Sequence, residues 1–154
     1  MSPAPRPSHQ AIVFAFARVL EDFVRSHHSG RVFISPVDVV LTARRAIQPD
    51  VLFISNDRLH IVQDRIRGIP DLVAEVISEG TWRRDRVDKK ALYEQFSLPE
   101  YWSIDPESRS IEVFVLVEGA YHLHCKAAED HPATSKLLLG FAVSCDALVR
   151  LSLQ

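Results

Sequence analysis

The stretch GIPDLVAEVIS, residues 68 to 78, sets the first condition that any fold of this chain must meet. It is as apolar as a buried strand, yet Glu75 stands among Leu72, Val73, Ala74, Val76 and Ile77. Side chains alternate along a strand, so Asp71, Val73, Glu75 and Ile77 share one face while Leu72, Ala74, Val76 and Ser78 share the other. Both faces are mostly apolar, which fits a central strand covered on two sides better than an edge strand with Glu75 in water. A carboxylate placed there needs a cation, a proton or a cleft, because an unpaired charge is among the costliest groups to bury.

The rest of the chain can supply such a core. Its 154 residues suit a single domain over 1–154, with a flexible Pro-containing start over 1–7. Hydrophobic residues at 47% and charged residues at 25% argue against disorder and against a fibrous or membrane class. No apolar run is long enough to span a bilayer, and MSPAPRPSHQ lacks the apolar core of a signal peptide, so a cytoplasmic protein is expected. Cys125 and Cys145 are not in a C-x-x-C spacing and read as packing residues rather than as a disulfide or zinc site. A net charge of −2 does not advertise nucleic acid, although Arg83, Arg84, Arg86, Lys89 and Lys90 leave a local basic face open.

Apolar positions Ile12, Ala15, Phe16, Val19, Leu20 and Phe23 recur at helical spacing and predict a helix from Ser8 to His27, with Ser8 as N-cap and Gly30 as stop. Strands are expected at RVFIS, VDVVLT and PDVLFIS, followed by a less regular segment and then the strand containing Glu75. EGT breaks that strand, and Trp82 to Phe96 has helical spacing that stops before Pro99. EYWSID, SIEVFVLVE and AYHLHCKA read as strands, and KLLLGFAVS and ALVRLSL close the chain as further β-rich segments. Helix, strands, helix, strands is the order of a mixed α/β (α+β) protein with one curved sheet.

Asp50 sits at the mouth of PDVLFIS, and a second carboxylate on a neighbouring strand can converge with it. Two such groups repel unless a proton or a divalent cation lies between them, and oxygen ligands suit magnesium or manganese. Lys89, Tyr93 and Phe96 share one helical stripe, which can point the lysine amine inward. The plainer alternative is a solvated lysine paired with Asp85 at i, i+4.

QPDVLFIS, GIPDLVAEVIS, DRVDKKALYEQFSLPEYWSIDP and SIEVF, in that order, resemble the bacterial Uma family of endonucleases within the PD-(D/E)XK restriction-endonuclease-like superfamily. The likeness runs from about Ser8 to Val115, and the succession P-D-L-V-x-E-V-x-S, D-x-x-x-K-x-x-x-Y, E-Y-W-x-x-D-P is far more specific than any one motif. It implies a restriction-endonuclease-like core and metal-dependent phosphodiester hydrolysis, with Mg2+ or Mn2+ held by Asp50, Glu75 and the backbone carbonyl of Val76. The superfamily lysine belongs two residues after the glutamate, where this chain has Ile77. In Uma-like sequences it has moved to the following helix, and Lys89 is the matching position. Arg84, Asp85 and Tyr93 become candidates for positioning substrate. Nucleic acid is the implied partner, DNA the expected form, and a homodimer is in keeping with the fold. The alternative is a catalytically inactive nuclease-fold protein that serves as a nucleic-acid-binding or protein-assembly module.

His122 and His124 on one strand face read as surface groups, and His27-His28 near the end of the first helix as caps of its dipole. Tyr101 and Trp102 read as core. Glu21 or Asp22 is a further acid that the first helix can offer, outside the site proper.

Overall fold

The computed structural model describes residues 4–78 and 83–154, with side chains described for all of these except Arg83 and Arg84. Helix α1 (Pro7–His27) opens the chain and is followed by β1 (Gly30–Ile34), β2 (Val39–Thr42), β3 (Arg45–Ile47) and β4 (Val51–Ser55). A 3-10 turn over Asn56–Ile61 leads to β5 (Ile66–Arg67) and β6 (Leu72–Val76). Then come α2 (Arg83–Gln95), β7 (Glu100–Asp105), β8 (Ser110–Val117), β9 (Ala120–Ala128), β10 (Ala133–Thr134), β11 (Ala142–Val143) and α3 (Cys145–Ser152).

Among the described residues the main sheet has six strands in the order β1-β4-β6-β7-β8-β9, with β6 and β7 parallel and every other pair antiparallel. A second sheet, β3-β2-β5, covers part of one face. This is the mixed, helix-flanked sheet expected from the sequence.

Strand alternation divides the core in two. Leu72, Ala74 and Val76 of β6, Val51 and Phe53 of β4, and Trp102 and Ile104 of β7 face α1 and α3, where they meet Phe16, Leu20 and Phe141. Leu52, Ile54, Val73 and Tyr101 face the other way, toward Tyr93 of α2 and Val39 and Ile66 of the small sheet. Every residue of β6 is buried, so Glu75 lies in a strand covered on both sides. Fully burying side chains such as Phe16 and Leu20 stabilises the fold by about 1.5–3 kcal/mol each, which fixes α1 against the sheet.

Three boundaries differ from the sequence expectation. Helix α1 starts at Pro7, whose missing N–H costs nothing in a first turn; Arg6 occupies the cap position, and Ser8 is already helical. The helix ends at His28 in a left-handed conformation, while Gly30 opens β1. Gly30 is required there for space, since a Cβ would sit 2.1 Å from the Ile54 carbonyl oxygen. The largest correction is at the C-terminus. ALVRLSL is helical, because Ser144 accepts a hydrogen bond from Ala147 N and caps α3 while Cys145 and Leu148 turn toward the core. Of KLLLGFAVS only Ala142–Val143 forms strand. The expected helix start at Trp82 and the EGT break lie outside the described residues.

Candidate active site

The register of β4 against β6 brings the two carboxylates together. Val51 pairs with Ala74 and Leu52 with Val73, so Asp50, one residue before the ladder, falls opposite Glu75. Pro49 has no N–H to extend the pairing, and the side chains take over the bonding. Asp50 N donates to Glu75 Oε1 at 2.9 Å, and Val76 N donates to Asp50 Oδ2 at 2.8 Å. Each carboxylate is therefore oriented by the backbone of the other's strand.

Helix α2 crosses this point from the Val73 face. Lys89 Nζ lies 2.9 Å from Glu75 Oε2 and 4.0 Å from Asp85 Oδ2. The lysine reaches inward and yet stays open, with its side chain 45% exposed against 6% for Glu75. One turn on, Tyr93 is buried. Phe96 is half-buried further along the stripe.

Burial raises the pKa of Glu75 above the ordinary carboxylate value; Lys89 opposes this, and the charge of Asp50 adds to it. Burial alone would lower Lys89, but the Glu75 charge and hydrogen bond outweigh it and hold the amine protonated. Tyr93 is raised well above a free phenol, first by burial and then by the Glu75 charge, so it remains a proton donor.

A fifth group comes from the opposite layer. His9, in the first turn of α1, places Nε2 2.8 Å from the Val76 carbonyl oxygen and 3.5 Å from Asp50 Oδ2. The hydrogen bond to Asp50 leads the causes that raise its pKa, against the lowering effect of burial. Sequence reasoning missed His9, although it lies on the stripe of Ile12, Val13 and Phe16 at i+3, i+4 and i+7, where an imidazole among apolar residues is a signal.

Other expected residues are placed differently. The side chain of Arg84 lies outside the described residues. Lys90 stands 4.1 Å from the centre of the Phe114 ring. Arg86 pairs with Asp105 and Glu112. Of the α2 cations with described side chains, Arg86 and Lys89 thus pair with acids and Lys90 with an aromatic ring, while the side chains of Arg83 and Arg84 lie outside the described residues. Ile77 is half-buried and lines a cavity of about 370 Å³ with His9, Ile12 and Ser78. Glu21 pairs with Arg25 beside a larger cavity of about 530 Å³, roughly 18 Å along the helix axis from His9 at 1.5 Å per residue. It cannot join the site. Tyr101 and Trp102 are core, and His122 and His124 are exposed.

Among the described residues no three His, Cys, Asp or Glu side chains are grouped so as to hold a metal ion by themselves. A divalent ion at this site would rely on the Val76 carbonyl as well as on Asp50 and Glu75. Magnesium is commonly held this way, by one or two carboxylates with water and substrate oxygens completing the shell. The donor set fits such an ion, because Asp50 Oδ2 and Val76 O already converge on a single N–H of His9.

A mixed sheet flanked by helices, with Asp50 and Glu75 on adjacent strands and a lysine arriving from the next helix, has a restriction-endonuclease-like nuclease fold. A crystal structure described as "a putative nuclease belonging to DUF820 from Anabaena variabilis ATCC 29413" is similar, with a TM-score of 0.80 and 16% sequence identity over 99% of this chain and 86% of that one. The chain belongs to the Uma2 family, described as "Putative restriction endonuclease", whose profile matches residues 1–148. No curated protein matches it. No described helix is long and apolar enough to cross a membrane.

Proposed function

We propose that this chain is a divalent-metal-dependent nuclease that hydrolyses phosphodiester bonds in nucleic acid, with DNA as its target and Mg2+ or Mn2+ as its ion. The observation that carries the reading is the meeting of Asp50, Glu75 and Lys89 at one strand end in a member of a restriction-endonuclease family. When bound, the ion supplies Lewis-acid stabilisation of phosphoryl charge and an acidified water.

The residues of this chain do the rest. Asp50, Glu75 and the Val76 carbonyl would hold the ion, and the N–H groups of Asp50 and Val76 keep both carboxylates oriented before substrate arrives. Lys89 brings a fixed positive charge beside Glu75, where it offsets negative charge developing on the phosphate and orients the attacking water. Asp85, 4.0 Å from the Lys89 amine, and the buried Tyr93 are assigned to positioning substrate. Arg84 is assigned to substrate positioning on its sequence position alone. Two copies acting together would cut both strands of a duplex.

One feature favours a second reading, a catalytically silent module that binds nucleic acid or another protein: Ile77 stands where the superfamily lysine belongs. The Lys89–Glu75 contact supports the active reading instead. Cleavage of plasmid and single-stranded substrates with Mg2+ or Mn2+ separates the two. The nuclease reading expects cleavage that Glu75→Ala and Lys89→Ala abolish, whereas no cleavage, or cleavage that survives both changes, overturns it.

A further inference from the structure

We infer that Arg86 and Lys126 bind backbone phosphates of the nucleic acid, on a track that leaves the site to one side and crosses β7, β8 and β9 on the face covered by α2. The inference rests on the nuclease reading above and deepens it by naming where the substrate strand lies.

The track is set by sheet register. Glu75 pairs with Ser103 of β7, Ser103 with Glu112 of β8, and Glu112 with Lys126 of β9, so these four positions form one row across the sheet. Trp102, Ile104, Ile111 and Val113 belong to the core under α1, so alternation turns Ser103, Asp105 and Glu112 the other way, onto the face of Glu75. Three strand spacings of about 4.8 Å make the row about 14 Å long, which is about four nucleotide steps at 3.4 Å along a duplex axis.

Cations stand along that row. Lys89 lies over Glu75 at its start. Arg86, one turn earlier in α2, lies over β7 and β8, with Nη1 3.6 Å from Asp105 Oδ2 and Nη2 3.9 Å from Glu112 Oε1. Lys126 is exposed at its end, on the edge strand of the sheet. Lys89, Arg86 and Lys126 balance Glu75, Asp105 and Glu112, so a phosphate on the row meets no excess of acid beyond the metal-binding Asp50.

Arg86 is the telling group. Both of its acids lie beyond ordinary hydrogen-bond length, and among the described residues its guanidinium makes no hydrogen bond. Arg67 shows how an arginine closes a pair in this fold, with Nε and Nη2 3.0 and 3.1 Å from the two carboxylate oxygens of Asp64. Arg86 is instead steered by two carboxylates while keeping its donors, and 36% of its side chain is exposed. A planar fork held in that way matches the oxygens of a phosphate.

The test is binding of the full chain to a labelled DNA duplex over a series of KCl concentrations, with Ca2+ in place of Mg2+ and the duplex checked intact by gel. The slope of log affinity against log salt counts the phosphates contacted. Arg86→Ala and Lys126→Ala should each flatten it by about 0.9, and the double variant by about 1.8. Arg86→Lys should keep the wild-type slope with weaker binding, since the charge remains and the fork is lost. Arg25→Ala removes another acid-paired arginine, toward the far end of α1, and should leave the slope alone. An unchanged slope in either single variant of the track, or equal flattening by Arg25→Ala, overturns the inference. If Glu75→Ala still abolishes cleavage, the nuclease reading survives that outcome. A wild type that neither binds nor cleaves the duplex overturns both. Because Lys126 is exposed, its variant reads the track even where loss of Arg86 harms folding.

Discussion

Lys89→Met keeps the aliphatic stem of the lysine and removes its charge, leaving Glu75 buried without its cation. The cost follows from the asymmetry of the pair, 45% exposed on the lysine side and 6% on the glutamate side at 2.9 Å. Exposed pairs contribute at most about 1 kcal/mol, and removing one partner of a fully buried pair costs about 3–5 kcal/mol. A pair with one end in solvent falls between these limits, so a loss of about 2 kcal/mol is expected at pH 8.

The loss has a fixed pH dependence. Burial holds the folded pKa of Glu75 above 4.5. A carboxyl raised in this way is least costly to the fold below its unfolded pKa, and it erodes stability as pH climbs through the folded value. Removing Lys89 raises the folded pKa further, so wild type and variant nearly coincide at pH 4 and separate as pH rises. Urea unfolding in metal-free buffer from pH 4 to 8 measures this for wild type, Lys89→Met, Glu75→Gln and the double variant. In the Glu75→Gln background the lysine change should cost little. An equal cost at pH 4 and pH 8, or an undiminished cost in that background, would refute the pairing argument.

Three further outcomes follow from the fold. Gly30→Ala presses a Cβ onto the Ile54 carbonyl and should cost about 1–3 kcal/mol, with faster amide exchange concentrated in β1; unchanged exchange there would contradict the packing. Glu100 is buried and accepts from Trp102 Nε1, Ser135 Oγ, Lys136 N and Leu137 N, so Glu100→Ala orphans four donors and should cost about 3 kcal/mol or more by urea unfolding. The hydrogen bond from Arg109 holds Asp146 below the usual carboxylate range. A lowered folded pKa gives stability that is present above about pH 3.8 and lost as pH falls through the folded value, so the melting-temperature gap between wild type and Arg109→Ala should close on acidification.

The strands that carry the carboxylates were legible because their signals are local. Val51–Ser55 and Leu72–Val76 are dense in β-branched and aromatic residues, and EYWSID coincides with Glu100–Asp105. Alternation placed Glu75 inside, and helical spacing placed Lys89 above Tyr93. The errors arose where tertiary packing decides. ALVRLSL has apolar residues at both strand and helix periods, and only the Ser144 cap and the burial of Leu148 resolve it. Lys90 found the Phe114 ring of β8, a partner that no local pattern announces. His9 escaped notice because its partners, Val76 and Asp50, lie 67 and 41 residues away in sequence.

The central claim is that Glu75 is buried for chemistry and not for stability, and Glu75→Gln tests it most directly. This change keeps the shape of the side chain and removes a charge that burial disfavours, so the variant should fold at least as well as wild type at pH 8. Single-turnover hydrolysis of a labelled DNA duplex with saturating Mn2+ is the measurement. The account predicts a fall in rate of about 10²-fold or more in a folded protein. A folded Glu75→Gln protein that cleaves within tenfold of the wild-type rate would contradict it.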